Sequence, residues 1–307
     1  MRDTPLTVMD AASVEITAEA SLISRGTERL VFSGRVPQGE IDRMRCPMQE
    51  GAFPFPVKYG YALAGHVSDG PQDLVGKKVF SLAPHQARIR VPIAMARPLP
   101  EGLTPARAVL AANMETALNA SWDAPLAPGM KVAVVGLGLV GLLIVSVLSR
   151  RGDLTLRACD ILSDRATLVS SFGATFAAPA DLPDDHDVVF HASASAAGLA
   201  TALDALAFEG TCIEASWFGD APVAVPLGGA FHSRRLRLVS TQVGHVAPSR
   251  RAALTHADRL DRALALCADP RLDALVTEEV AFADLPARLP ALLAPGAPGI
   301  ATRVVYR

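Results

Sequence analysis

A doubly wound α/β domain built on a parallel sheet, joined to a second, β-rich domain, is the architecture this sequence predicts. Three observations carry it. Lys131 to Asp160 reads as strand, glycine-rich turn, apolar helix, second strand and terminal acid, in that order. Strand and helix patterns then alternate to about residue 267, as they do where helices cover both faces of a parallel sheet. Before residue 112 and after residue 270 the pattern becomes short strand-like runs broken by Pro and Gly. The domains are therefore drawn as 1–112 with 270–307, and 113–269.

The elements follow in order. Leu6, Val8, Val14 and Ile16 mark strand positions near the N-terminus. Residues 32–56 are rich in Pro and Gly and predict a long loop with short helical pieces. A turn and strand follow over 55–67, then strands over 75–81 and 87–91, with Pro84-His85-Gln86 between them. Pro105 to Ala120 has helical periodicity and carries Asn113, Glu115 and Thr116. Beyond Asp160, helices are expected over 166–172, 196–206 and 249–267, and strands over 187–191, 211–215 and 236–241. A strand over 277–282, a helix over 285–293 and a strand over 302–306 return to the first domain.

The central segment has a specific chemistry. Val132 to Val135 is a β-branched run suited to a strand buried on both faces. Gly136-Leu137-Gly138-Leu139-Val140-Gly141 is a G-x-G-x-x-G. Gly136 permits the tight turn, Gly138 lets backbone approach a pyrophosphate, and Gly141 lets helix pack on strand, while the helix N-terminus offers unpaired N–H groups to phosphate. Asp160 ends the second strand, where a carboxylate accepts from both ribose hydroxyls and repels a 2′-phosphate, so NAD is expected ahead of NADP. Val132 to Ser149 carries no charge, but three glycines at this spacing argue against a membrane span.

The 307 residues suffice for two domains with sizeable cores. A net charge of −2 and a pI near 6.4 give no reason to expect nucleic acid or an anionic membrane surface. Cys46, Cys159, Cys212 and Cys267 are widely spaced, as reduced core residues are. No targeting peptide is legible at the N-terminus, so a cytoplasmic location is expected.

Several short motifs together resemble the medium-chain dehydrogenase/reductase superfamily, the zinc-type alcohol dehydrogenases and their relatives. Gly60-Tyr61-Ala62-Leu63-Ala64-Gly65-His66-Val67 falls where that family writes G-H-E-x-x-G-x-V, and Ser24 to Glu28 where it writes G-I-C-G-T-D. Asp187 to Ser193 resembles its fourth nucleotide-domain strand, and Ser171-Phe172-Gly173-Ala174 its L-G-A. The resemblance covers nearly the whole chain and implies a GroES-like substrate domain beside a Rossmann domain, with opening strands shortened. Ile23 to Glu28 resembles the bacteriochlorophyllide dehydrogenase branch and its threonine-dehydrogenase-like relatives.

The departures shape the expected chemistry. At the family's zinc positions stand Ser24, Tyr61 and Ala112 or Asn113, which cannot build a tetrahedral N/S site, so no catalytic zinc is expected. The family's four-cysteine lobe is also missing. Without a Lewis acid, a hydrogen-bond donor must polarise the carbonyl. The candidates are Tyr61, with Lys58 nearby to lower its pKa, then Thr27 at the family's relay hydroxyl, Glu115 and His85. Thr116 and Ser193 are expected beside the cofactor, with Gly136, Gly138, Leu139, Val140, Gly141 and Asp160. His66 and His191 are read as structural, and Arg234 and Arg235 as a solvated pair. The resemblance implies an NAD-dependent oxidoreductase acting on a secondary alcohol or ketone, with a strand-edge homodimer as its assembly. The alternatives are a dinucleotide-binding protein without turnover and an NADPH-dependent quinone or enone reductase.

Overall fold

The computed structural model describes residues 5–6 and 12–306; Val8 lies outside them, and Leu6 is in no regular element. The chain divides into two compact units, Met1–Ala112 with Cys267–Arg307, and Asn113–Leu266. In chain order the strands of the first unit are β1 (Ser13–Ile23), β2 (Glu50–Gly51), β3 (Val57–Lys58), β4 (Leu63–Asp69), β5 (Lys78–Ser81), β6 (Arg88–Pro92) and β7 (Arg97–Pro98). The second unit holds β8 (Lys131–Val135), β9 (Thr155–Cys159), β10 (Thr175–Ala177), β11 (His186–His191), β12 (Leu206–Glu214) and β13 (Arg237–Ser240). β14 (Val276–Ala281) and β15 (Ala301–Val305) complete the first. The helices are α1 (Arg25–Phe32), α2 (Pro105–Ala108), α3 (Ala111–Asp123), α4 (Leu139–Ser149), α5 (Ala166–Ser171), α6 (Ala196–Asp204), α7 (His256–Leu266) and α8 (Leu285–Leu292).

The first unit is organised on β1. Its alternating Val14, Ile16, Ala18, Ala20 and Leu22 are all buried, as one face of a strand packed on a core requires. β6 pairs with its first half, β15 with its second, and β4 runs antiparallel along it. The sheet runs β14-β15-β1-β4-β5-β7, with β6 also on β1. The pairing of β1 with β4 shifts register near Ala18, where a Cβ on Gly65 would meet the Thr17 carbonyl oxygen at 2.0 Å.

The second unit is a parallel sheet in the order β10-β9-β8-β11-β12-β13. Counted from β8, that is the 3-2-1-4-5-6 order of a dinucleotide-binding sheet, and its direction of winding reverses between β8 and β11. Ala133, Val135, Val189, Leu199 and Leu203 belong to one of its buried clusters. The uncharged run is split by its glycines into β8 and α4, and among the described residues no helix is long and apolar enough to cross a membrane.

The structure adds α1 and β7, which no pattern in the sequence predicts, and two further elements differ from expectation. The helix placed at Ser249 begins at His256, because Thr255 and Asp258 close a capping box there: Asp258 Oδ2 accepts from Thr255 N at 2.8 Å, and Asp258 N donates to Thr255 Oγ1 at 3.1 Å. Strand β10, three residues long, carried too little periodicity to be read at all.

Candidate active site

In the second unit the glycine turn sits at the carboxyl end of β8. Gly136 adopts φ +95°, and a Cβ there would lie 2.5 Å from Ser193 N. A Cβ on Gly141 would lie 1.8 Å from the Gly136 carbonyl oxygen, so both positions are closed to larger residues. Gly138 has nothing within 4 Å of its Cβ position. It caps α4 without a side-chain partner for the first-turn N–H groups, and those amides, with open space before them, suit a phosphate. Asp160 braces this turn: Oδ2 accepts from Leu137 N at 2.6 Å and Oδ1 from Leu162 N at 2.9 Å. Each carboxylate oxygen offers a second lone pair, so the brace still leaves Asp160 able to accept from a ribose hydroxyl. The donor set, the clearance at Gly138 and the half-buried carboxylate fit a dinucleotide.

On the far side of the reversal point, His191 ends β11 and is fully buried. Its Nδ1 lies 2.6 Å from Glu214 Oε2 at the end of β12, and its Nε2 lies 2.6 Å from Ser193 Oγ. Phe218 stacks on the imidazole at a centroid distance of 6.3 Å. The histidine expected as a packed structural residue is thus also hydrogen-bonded at both ring nitrogens.

In the first unit the chemistry gathers around Tyr61, which precedes β4 rather than lying on it. Its O–H donates to Ser24 Oγ at 2.6 Å. Burial pushes this hydroxyl up to about 12 from its ordinary value of 10.0, against opposing hydrogen bonds to Ser24 and Thr27. Lys58 does not lower it: its ammonium is held by Glu50 at 2.5 Å and Gln86 at 3.0 Å. Tyr59 packs edge-on against Tyr61 and tilted against Phe53, giving the hydroxyl an aromatic surround.

Behind Tyr61 runs a longer polar chain. Ser24 N donates to Glu28 Oε1 at 2.7 Å, Glu28 Oε2 lies 3.1 Å from His85 Nε2, His85 Nδ1 lies 2.7 Å from Ser21 Oγ, and Ser21 Oγ lies 2.8 Å from Tyr306 OH. His85, a donor candidate between two strands, has a side chain only 10% exposed. Gly60 makes this approach possible: at φ +127°, its Cβ position would crowd His85 Cδ2 at 3.1 Å.

The structure therefore brings Tyr61, Thr27 and His85 into one cluster and adds Ser21, Ser24, Glu28 and Tyr306. Glu28 closes the Ile23–Glu28 motif, the one sequence signal for this group; Ser21 and Tyr306 carry no local signal. Glu115 has a different fate. It is 4% exposed on α3 and forms a buried ion pair with Arg259, Nε to Oε1 at 2.8 Å. Burial raises its pKa, opposed by the Arg259 guanidinium. Arg259 also donates to Asn119 Oδ1 and to the carbonyls of Val243 and His245, so the expected acid is an internal tie. Thr116 is half-buried on the same helix. His66 lies 3.1 Å from Glu19. Arg234 and Arg235 are not merely solvated, being paired with Asp184 and Glu209. All four cysteines are free and buried. Among the described residues, no three of His, Cys, Asp and Glu cluster as a metal site.

No protein-family model matches the sequence. Solved structures share the fold. A zinc-binding dehydrogenase of Sinorhizobium meliloti bound to NADP superposes with TM-score 0.76 at 16% identity, over 99% of this chain and 95% of that one. An alcohol dehydrogenase of a Thermus species gives 0.71 at 20% identity, over 100% and 98%. A short-chain alcohol dehydrogenase of Escherichia coli complexed with NADH gives 0.73 at 14%, over 99% and 94%. Almost end to end, the chain has the fold expected from its motifs, that of the zinc-type, medium-chain alcohol dehydrogenases: a Rossmann sheet with a GroES-like partner.

Proposed function

We propose that this protein is a medium-chain oxidoreductase that moves a hydride between NAD(H) and a secondary alcohol or ketone without a catalytic zinc. The observation that carries the reading is the Gly136–Gly141 turn at the reversal point of a 3-2-1-4-5-6 sheet, with open space only at Gly138 of its three glycines. When bound, the nicotinamide supplies the hydride acceptor or donor. Gly138 and the first turn of α4 would hold the pyrophosphate, and Asp160 the adenosine ribose. Its charge supports NAD over NADP.

Zinc independence is supported by the residue types at the family's ligand positions: Ser24 and Tyr61 offer hydroxyls where a thiolate and an imidazole would be needed. Tyr61 takes the polarising role. With its pKa near 12, it stays protonated at neutral pH, and its one O–H, donated to Ser24 Oγ in the free protein, turns to a carbonyl oxygen when substrate binds. Ser24 and Thr27 orient that O–H, and Glu28 with His85 continues the hydrogen-bonded chain behind it. Glu115 is assigned to structure.

The test is equilibrium titration with NADH and NADPH, metal content measured on the same sample, followed by an alcohol and ketone screen on wild type and Tyr61→Phe. Tight NADH, weak NADPH and no stoichiometric zinc support the reading. Preference for NADPH with enone reduction would move it to the quinone-reductase class, NADH binding without turnover would leave a binding protein, and stoichiometric zinc would overturn the donor argument.

A homodimer along β13 is part of this proposal. Among the described residues β13 pairs with β12 alone, and Leu238 and Val239 on it are 37% and 39% exposed. An apolar, unpaired edge strand invites a second copy. Sedimentation of Val239→Lys should show monomer where the parent shows dimer.

A further inference from the structure

The end of β11 holds an arrangement that hydride transfer does not require. Glu214 Oε1 accepts from Ser216 N at 2.7 Å, which fixes the carboxylate, and Oε2 faces His191 Nδ1 at 2.6 Å. A carboxylate accepts, so Nδ1 carries the proton and Nε2 presents its lone pair to Ser193 Oγ at 2.6 Å. The imidazole is fully buried and held under Phe218, while Ser193 is half-buried. Gly198 clears the room: a Cβ there would lie 2.1 Å from Ser193 Oγ and 3.0 Å from His191 Nε2. Ala194, next to the serine, is in the left-handed region at φ +52°, and α6 starts two residues later, capped by Ser195 Oγ, which accepts from Gly198 N at 3.0 Å and lies 3.0 Å from Ser193 Oγ. Nucleophile, base and orienting acid are thus within hydrogen-bond reach in the order that activates a serine.

We propose that Ser193, His191 and Glu214 transfer acyl groups from small activated esters. Ser193 Oγ attacks the ester carbonyl as its proton passes to His191 Nε2. The ester C–O bond breaks, and that proton leaves with the departing alcohol. Water then attacks the acyl-serine with His191 again taking and returning a proton, releasing the carboxylic acid and restoring the hydroxyl. Ser193 and His191 are the catalytic pair; Glu214 is a positioning residue. The proposal rests on the second unit alone; Ser193 packs against Gly136 of the nucleotide turn, so the labels are read without added cofactor, and their outcome does not depend on whether hydride transfer occurs.

The experiment uses the whole protein with p-nitrophenyl acetate, following the phenolate burst and mapping the acetyl group by peptide mass spectrometry, with a fluorophosphonate probe as a second label. Expected are a burst near one equivalent and both labels on Ser193. Ser193→Ala should remove them, and His191→Gln should slow acylation by about a hundredfold or more. Glu214→Gln should lower the acylation rate constant with the ester's KM unchanged, a split that general loosening of the fold would not give. Labelling confined to lysine, tyrosine or cysteine, or no burst from the wild-type protein, overturns the proposal. The wild-type labels need no variant to fold, so a misfolded Ser193→Ala leaves the result decisive.

Discussion

Each unit contains a serine, a histidine and a glutamate joined in one hydrogen-bonded chain, and burial separates their roles. In the first unit Ser21, His85 and Glu28 are linked at 2.7 and 3.1 Å; in the second, Ser193, His191 and Glu214 are linked at 2.6 and 2.6 Å. Ser21 is fully buried in β1 and its hydroxyl is also taken by Tyr306. No ester can reach it, so that chain serves as a tie between β1, the His85 loop and the C-terminus. Ser193 is half-buried on the loop after β11, its backbone against Gly136 and its hydroxyl also 3.0 Å from Ser195 Oγ, with the imidazole buried behind it. The same three residue types therefore make a support in one place and a candidate nucleophile in the other, and the depth at which the serine is buried, complete for Ser21 and partial for Ser193, separates them.

A third buried carboxylate sets the upper end of the scale. Arg259→Met would strand Glu115 in the core, and breaking such a pair from one side costs about 3–5 kcal/mol. Chemical denaturation should show a loss of that size, partly restored by adding Glu115→Leu. Next in size is Tyr61→Phe, expected to lower turnover by about a hundredfold or more while costing only about 1 kcal/mol of stability. Equal losses in rate and folding would make Tyr61 another tie.

Ser21→Ala against Ser193→Ala tests the comparison directly. The first leaves both His85 Nδ1 and the Tyr306 hydroxyl short of a partner in the core and should cost about 1–3 kcal/mol, whereas the second leaves only His191 Nε2 short, beside a half-buried position, and should cost about 1 kcal/mol. A larger cost at Ser193, read from thermal unfolding, would break the distinction. Gly138→Ala should fold normally and weaken NADH about tenfold, equal to roughly 1.4 kcal/mol. Gly136→Ala should disturb the fold as well, because its Cβ would meet Ser193 backbone.

The smallest effect concerns Glu15, a carboxylate with no catalytic duty. Burial raises its pKa, but Arg88 and Arg90 together more than offset this and hold it below the ordinary 4.5. A depressed carboxyl binds fewer protons folded than unfolded. Its stabilisation is thus complete above about pH 4.5 and is lost as pH falls through the depressed value. Glu15→Gln should flatten that acid limb of the stability curve.

Much of the second unit was legible because a parallel sheet writes its own sequence. β8 is buried on both faces and reads as a β-branched run, the glycines at 136 and 141 answer to contacts below 3 Å, and Asp160 must end a strand to reach the turn. The first unit was legible only as strands. Its site joins Ser21 to Tyr306 and Glu28 to His85, pairs separated by 285 and 57 positions, and no local pattern encodes such contacts. Glu115 was misjudged for the same reason, since Arg259 lies 144 residues away.

The sequence by itself determined the doubly wound sheet, its glycine turn and the residue types at the family's zinc positions, because each depends on short-range periodicity and spacing. The tertiary structure decided which polar side chains share a network and which are sealed. It made His85 a buried partner of Glu28, turned Glu115 into an ion pair, and set Ser193 against His191 with Gly198 making room. Hydrogen bonds and burial depend on distances between strands far apart in the chain, and those distances exist only once the chain has folded.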